Sequence, residues 1–293
     1  MRYDISLTFS YAYATPAAGA RQFLHLVPAD LPGRQRLIAG RLSFDPLPTQ
    51  RLDRYDFFGN AVTEVVFADA HDDIDIRLQA RVEVTGGAAP QGTSLALADI
   101  AGAVAGIRDL GPRSPAHFID PSPRVPQHAE IAAYAREAAG DRRWVADIVE
   151  ALGLAINADM RFDPKATTVD TPAGEAFRAR GGVCQDFTHV MITALRSLGI
   201  PSGYVSGLLR TIPPAGKPRL EGADAMHAWV SAWCGPEAGW VEYDPTNAMF
   251  AGPDHVVVAY GRDYSEVSPV KGILRTSGSH TIHHAVDMLP LDA

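Results

Sequence analysis

Three residues in the second half of this 293-residue chain are of types that together can carry out acyl transfer: Cys184, His227 and Asp244. A thiol becomes a strong nucleophile when a neighbouring imidazole takes its proton, and an acidic side chain can hold that imidazole in place. The order Cys, His, Asp therefore predicts a catalytic triad whose reaction passes through a thioester. The surrounding sequence must then bring the three side chains together.

The stretch around Cys184 predicts that its thiol lies in the first turn of a buried helix. Gly181-Gly182 can turn at almost no steric cost, and residues 187–198 then place apolar side chains at intervals of three and four. Gly199 and Pro201 are typical of a helix end. Unpaired N–H groups and the positive end of the dipole favour an anion at a helix start, so a thiol there ionises more readily. Alone, this stretch is equally consistent with a small buried cysteine that only fills space.

Two strand patterns predict a hairpin that brings the histidine close to the aspartate. Residues 226–233 and 239–244 are rich in aromatic and β-branched side chains, and the link between them is short. His227 and Asp244 both lie at the end of this hairpin that is far from its turn. Alone, His227 would more often be an ordinary strand histidine, and Asp244-Pro245 is a common start of a turn. The catalytic roles depend on the three residues acting as a set.

The motifs that contain these residues resemble the bacterial transglutaminase-like superfamily in order and spacing. They are residues 182–187 (GVCQDF), 199–201 (GIP), 204–207 (YVSG), 227–230 (HAWV), 239–240 (GW) and 244–247 (DPTN). Residues 171–172, the run 261–264 and the β-rich first half are similar to bacterial members that carry their own N-terminal domain. The resemblance thus covers nearly the whole chain.

This resemblance implies a papain-like catalytic domain with assigned roles for the three residues. Cys184 matches the nucleophile, His227 the general base and acid, and Asp244 the residue that orients the imidazole. The backbone N–H of Cys184, unpaired at a helix start, can donate to the oxyanion. The sequence does not identify a second oxyanion donor.

The predicted fold class is α+β, with an N-terminal antiparallel β domain followed by a papain-like transglutaminase core. In that core, the helix that bears Cys184 packs on an antiparallel sheet. Short alternating strands separated by turn residues indicate the β domain at residues 1–110. Five prolines in residues 111–127 exclude a regular helix or a central strand and predict a stiff linker. Residues 128–293 are predicted to form the catalytic domain.

Composition and charge narrow the classes of partner and compartment. A net charge of -8 without a Lys/Arg-rich run disfavours nucleic acid. No apolar run is long enough to span a bilayer, and the first residues are not typical of a signal peptide, so no membrane partner is expected. With only two cysteines, Cys184 and Cys234, a location in the reducing cytoplasm is expected. The sequence does not exclude a disulfide between the two. The sequence does not predict the oligomeric state.

A metal site is disfavoured, and no cofactor is expected. The chain lacks a Cys-x-x-Cys pair. Its closely spaced histidines, His280, His283 and His284, fall in a strand-like stretch where alternation would place His283 and His284 on opposite faces.

The expected function is that of a cysteine protease or amidase acting on a peptide, protein or amide substrate. Transfer of the acyl group to an amine would use the same residues, but water at about 55 M needs no dedicated acceptor site. A binding protein that retains the fold, with an unreactive thiol at Cys184, is the alternative from another class. Residues 211–221, rich in proline, are expected to form a loop at the edge of the site that shapes specificity.

Overall fold

The computed structural model describes residues 1–87, 93–211, 222, 224–275 and 278–291. Its strands are β1 Arg2–Leu24, β2 Gln35–Asp45, β3 Gln50–Tyr55, β4 Ala61–Phe67, β5 His71–Val84, β6 Arg161–Phe162, β7 Gly181–Gly182, β8 Ser202–Leu209, β9 Ala225–Trp233, β10 Trp240–Asp244, β11 Met249–Phe250, β12 His255–Gly261, β13 Val270–Arg275 and β14 His280–Pro290. Its helices are α1 Leu97–Gly106, α2 Ala129–Ala139, α3 Val145–Asp159, α4 Ala173–Ala179, α5 Cys184–Ser197 and α6 Tyr264–Val267, with a 3-10 helix at Pro115–Phe118. The loop predicted at residues 211–221 lies outside the described residues, except for its first residue.

The first sheet is built around the long strand β1. The strand order is β2-β5-β1-β4-β3, and the pairs are antiparallel. In the first half of β1, side chains alternate between the core and the outside, with Tyr3, Ile5 and Leu7 buried. This is the alternation expected of a strand with one face on the core. The predicted N-terminal antiparallel sheet is confirmed.

The last two strands of the described chain also pair with β1. β13 runs antiparallel to its second half, and β14 pairs with it from Tyr3 to Tyr13. The predicted domain limits assign residues 128–293 to the catalytic domain and stay a prediction. They do not include the pairing of β13 and β14 with a strand of the N-terminal half. Alternation identifies a strand without identifying its partner, because the partner is set by contacts distant in sequence.

The proline-rich segment at residues 111–127 is packed against the second half of the molecule. Its 3-10 helix buries Phe118, whose ring contacts that of Trp240 edge-on at a centroid distance of 5.0 Å. Arg196 of α5 donates from Nη1 to the carbonyl of Asp120 at 2.8 Å. The segment that the sequence presents as a stiff linker therefore also fixes the C-terminal end of α5.

The second sheet positions the candidate site. Its order is β11-β10-β9-β8-β12, and β9 and β10 form the predicted hairpin, with Trp233 opposite Trp240. Apolar side chains of α2, α3 and α5 share one buried core with this sheet. Trp229 belongs to a second cluster, which Ala29 and Leu31 of the N-terminal half cover. The sheet is therefore enclosed by helices and by the N-terminal half of the chain.

The N-terminal half also covers the free edge of β12. The side-chain amide of Gln35 donates to the carbonyl of Val257 and accepts from its N–H, both at 2.8 Å. Asn60 makes the same two bonds with the backbone of Tyr260, both at 2.7 Å. These side chains replace the backbone partners that an edge strand lacks.

We predict that replacing two helical glycines with alanine changes the free energy of unfolding in opposite directions. A Cβ built on Gly153 in α3 would lie 1.9 Å from Tyr243 Cε1 of β10, whereas nothing lies within 4 Å of one built on Gly102 in α1. Gly153→Ala should lower the free energy of unfolding by about 1–3 kcal/mol through overpacking. Gly102→Ala should raise it by up to about 1 kcal/mol through helix propensity. Urea unfolding of both variants measures the two effects, and equal values would contradict the α3–β10 packing.

Candidate active site

The start of α5 fixes the position of the thiol. Val183 is the N-cap in an extended conformation, and Cys184 is the first helical residue. Asp186 accepts the N–H of Val183 at 2.8 Å and the hydroxyl of Thr167 at 2.7 Å, so its buried carboxyl closes the first turn. A Cβ on Gly182 would lie 2.4 Å from Asp186 Oδ2, so this arrangement requires glycine. The predicted placement of Cys184 at a helix start is confirmed.

His227 lies between the thiol and the carboxylate. Its Nε2 is 2.7 Å from Asp244 Oδ2, and the two side chains are 6% and 0% exposed. Cys184 is close enough to this imidazole to influence its pKa. Because Nε2 binds Asp244, Nδ1 is the nitrogen that remains for another partner. The three side chains that the sequence singles out thus lie together.

The surroundings of His227 favour its charged form. Burial alone would lower its pKa, but the hydrogen bond to Asp244 and the interaction with Cys184 outweigh this and raise the pKa to about 10. At neutral pH the ring is therefore an imidazolium, which can stabilise a neighbouring thiolate and supply a proton.

The Asp244 carboxylate accepts more hydrogen bonds than a triad alone requires. Besides His227, Asn247 Nδ2 at 2.7 Å and His255 Nε2 at 3.2 Å bind Oδ2. The backbone N–H groups of Thr246 at 2.9 Å and Asn247 at 3.2 Å bind Oδ1. Burial would raise the pKa of this carboxyl, but the hydrogen bonds from His227 and His255 hold it well below its usual range. The group is therefore ionised and closely held.

Sequence reasoning missed the contributions of His255 and Asn247. Asn247 lies in the 244–247 motif, yet nothing in its residue type assigns it to the carboxylate. His255 begins β12, and a single histidine at a strand start carries no sequence signal. The chain returns from β10 to β12 through residues 245–254, where the N–H of Ala251 bonds to the carbonyl of Glu242, and this path leaves His255 3.2 Å from Asp244.

The two cysteines differ in exposure and chemistry. Both are free thiols, so the disulfide that the sequence left open is not formed. Cys184 is half-buried, whereas Cys234 is fully buried and burial raises the pKa of its thiol to about 12. Cys234 is therefore a matched internal reference for the reactivity of Cys184.

His227, Asp244 and His255 also form a cluster of possible metal ligands, with one atom from each lying within 4.8 Å of the others. Their geometry is that of hydrogen bonds. The 2.7 Å between His227 Nε2 and Asp244 Oδ2 is shorter than the roughly 3.3 Å separating two ligand atoms that are each about 2.0–2.1 Å from a tetrahedral zinc. Asp244 already accepts N–H groups at both oxygens. These residues therefore do not fit a zinc centre as arranged.

Comparisons with known proteins agree with this fold and these motifs. Residues 3–83 match the bacterial transglutaminase-like N-terminal region, and residues 132–245 match the transglutaminase-like superfamily. An uncharacterised Mycobacterium tuberculosis protein is 33% identical over 274 residues, which covers 88% of this chain and 83% of that protein. An uncharacterised Mycobacterium leprae protein is 30% identical over 284 residues, 96% of each chain.

A solved structure shows the same fold along the whole chain. It is a candidate cysteine protease from Cytophaga hutchinsonii, with a TM-score of 0.77 and 20% identity, and the match covers 100% of this chain and 92% of that one. The chain belongs to the transglutaminase-like superfamily, among the members with a bacterial transglutaminase-like N-terminal region. Within the part of the chain that the structure describes, no helix has the length and apolar character needed to cross a membrane.

Proposed function

We propose that the protein is a thiol hydrolase that cleaves a peptide or amide bond through a thioester on Cys184. The observation that carries this proposal is the arrangement of the thiol at the start of α5 with the hydrogen-bonded pair of His227 and Asp244. It supplies a nucleophile, a proton carrier and a group that orients the carrier. We further propose a cytoplasmic location, which suits an enzyme that needs a free thiol.

The reaction divides into acylation and deacylation. In acylation, the Cys184 thiolate attacks the carbonyl carbon, and the backbone N–H of Cys184 donates to the oxyanion that forms. The His227 imidazolium then gives its proton to the nitrogen of the leaving amine as the C–N bond breaks, leaving a thioester. In deacylation, neutral His227 takes a proton from water as the oxygen attacks. The C–S bond breaks, releasing a carboxylic acid and restoring the thiolate–imidazolium pair.

Hydrolysis is proposed over transfer to an amine because a second amine needs a site that holds it against water at about 55 M. Both outcomes use the same three residues. The chemical identity of the products with a primary amine present therefore decides this part of the proposal.

The test is the rate at which iodoacetamide alkylates Cys184 as a function of pH. In the wild type we expect fast labelling that changes little between about pH 6 and pH 8, because the thiolate is stabilised by the His227 imidazolium. In His227→Ala we expect roughly 100-fold slower labelling at pH 6, since an ordinary thiol with a pKa of about 8.5 is almost fully protonated there. Peptide mass spectrometry separates Cys184 from Cys234.

The buried Cys234 serves as the control and should stay unlabelled in the folded protein. Labelling of Cys184 at the rate of an ordinary thiol, unchanged by removing His227, would contradict the proposed enzyme. It would favour a binding protein that has kept the fold.

A further inference from the structure

We propose that His255 is a positioning residue, whose Nε2–H holds the Asp244 carboxylate in the orientation that binds the His227 imidazole. This inference rests on the proposed function and adds a residue to the same site. His255 lies beyond residues 132–245, which match the superfamily. Its contribution is therefore visible only in the folded chain.

The hydrogen bonds of His255 define its tautomer. Its Nδ1 accepts the backbone N–H of Gly252 at 3.1 Å, so that nitrogen carries no proton. The proton of the neutral ring is then on Nε2, which lies 3.2 Å from Asp244 Oδ2. The ring is thus a fixed donor aimed at the carboxylate oxygen that also binds His227.

Packing prevents the His255 ring from turning away. The residue is 2% exposed, and the Trp229 ring meets its ring nearly edge-on, at 5.1 Å and 80°. Trp229 is itself fixed, because its Nε1–H donates to the buried carboxylate of Glu242 at 2.6 Å. Among the described titratable groups, Asp244 bonds to His255, and the ring centroid of His227 is 6.2 Å from that of His255.

The N-terminal half of the chain holds the backbone of His255 on both sides. Asp254, the preceding residue, accepts the hydroxyl of Tyr3 from β1 at 2.5 Å. Two residues later, both backbone groups of Val257 bond to the side chain of Gln35. The position of His255, and through it that of the catalytic carboxylate, therefore depends on the first sheet.

Two substitutions separate the hydrogen bond from the packing. His255→Phe keeps a ring against Trp229 but removes the N–H, whereas His255→Gln loses the ring but keeps an amide N–H that can reach Asp244. If the N–H positions the carboxylate, alkylation of Cys184 at pH 6 should fall about 10- to 100-fold in His255→Phe, as when other groups that orient a ligand are lost. Its rate should also become pH-dependent between about pH 6 and pH 8. His255→Gln should stay within a few-fold of the wild type.

The control is His25→Gln, since His25 is a buried histidine, 8% exposed, whose ring contacts the carbonyl of Ser268 and the carboxylate of Asp56 rather than Asp244. We expect no change in its alkylation profile. Equal profiles for His255→Phe and the wild type, or a larger loss in His255→Gln than in His255→Phe, would overturn the inference. If wild-type Cys184 itself reacts like an ordinary thiol, the proposed function fails. If wild-type Cys184 reacts fast and His255→Phe has the same profile, only the inference about His255 fails, so the two failures are distinguishable.

A second measurement needs no substitution and applies even if His255→Phe does not fold. Histidine-selective ¹⁵N NMR of the wild-type protein should show a proton on Nε2 of His255 and none on its Nδ1, as the hydrogen bonds of the two nitrogens require. His255→Gln, which removes one signal, assigns it. A proton on Nδ1 of His255 would overturn the inference.

Discussion

Replacing Cys184 with alanine abolishes the amide or peptide hydrolysis that we propose. Without the thiol there is no thioester, and the remaining groups can only assist direct attack by water. We expect kcat to fall by roughly four to six orders of magnitude, as when other covalent nucleophiles are removed. A panel of peptide and amide substrates with a fluorescent leaving amine measures this loss.

Cys234→Ala is the matched control for this substitution. Cys234 is buried in the core near the turn of the β9–β10 hairpin, and its Sγ makes a weak hydrogen bond to the carbonyl of Ala232 at 3.8 Å. Its replacement should cost stability at the scale of one lost core group, about 1 kcal/mol, without changing kcat. Residual turnover in Cys184→Ala close to that of the wild type would mean that another residue is the nucleophile.

The features that the sequence predicts well are those that local chemistry decides. Gly181-Gly182 and the helical period that follows place Cys184 at the first position of α5. The strand patterns and the short link between them produce the β9–β10 hairpin, so that His227 and Asp244 fall at the same end. In each case, neighbouring residues contain the information that positions the side chain.

The features that the sequence does not predict depend on pairs of residues far apart in the chain. The contact of His255 with Asp244 depends on the position of β12, which Gln35 and Asn60 hold from the N-terminal half. Neither of these amides is distinguishable from any other polar residue near a strand end. Likewise, the pairing of β14 with β1 joins the two ends of the described chain, which alternation alone cannot specify.

This arrangement gives the N-terminal half a role close to the chemistry. It does not merely adjoin the second sheet, because its polar side chains bond to β10 and β12, which carry or hold Asp244. A catalytic carboxylate tolerates little displacement, since the orientation of the imidazole depends on it. We therefore expect loss of these contacts to affect stability and the site together.

The strongest of these contacts is the ion pair between Arg34 and Glu242. Arg34 Nη2 donates to Glu242 Oε2 at 2.6 Å, and its Nη1 binds Oε1. The fully buried carboxylate also accepts from Trp229 at 2.6 Å and from Tyr260 at 2.8 Å. Burial would raise the pKa of Glu242, but Arg34 and the other two donors lower it, so the group is ionised.

Arg34→Met should lower the free energy of unfolding by about 3–5 kcal/mol, because it leaves a buried carboxylate without its counter-charge. Guanidinium unfolding at pH 7 measures the loss. Arg81→Met is the matched control, since Arg81 forms an exposed pair with Asp4 at 2.7 Å, and such pairs contribute about 0–1 kcal/mol. If the free energy of unfolding falls no further in Arg34→Met than in Arg81→Met, the result would contradict the role of the buried pair.

The pH dependence of the stability and a second substitution test whether the unpaired Glu242 carboxylate causes the loss of stability in Arg34→Met. In the wild type, its lowered pKa contributes stability above the unfolded value of about 4.3 that is lost as the pH falls through the folded value. In Arg34→Met, burial without a cation raises that pKa above 4.3, so protonation relieves the buried charge. The deficit of the variant should therefore shrink as the pH falls from 7 towards 5. Adding Glu242→Gln to Arg34→Met should recover much of the loss at pH 7, because a neutral amide can still bond to Trp229 or Tyr260 without an unpaired charge.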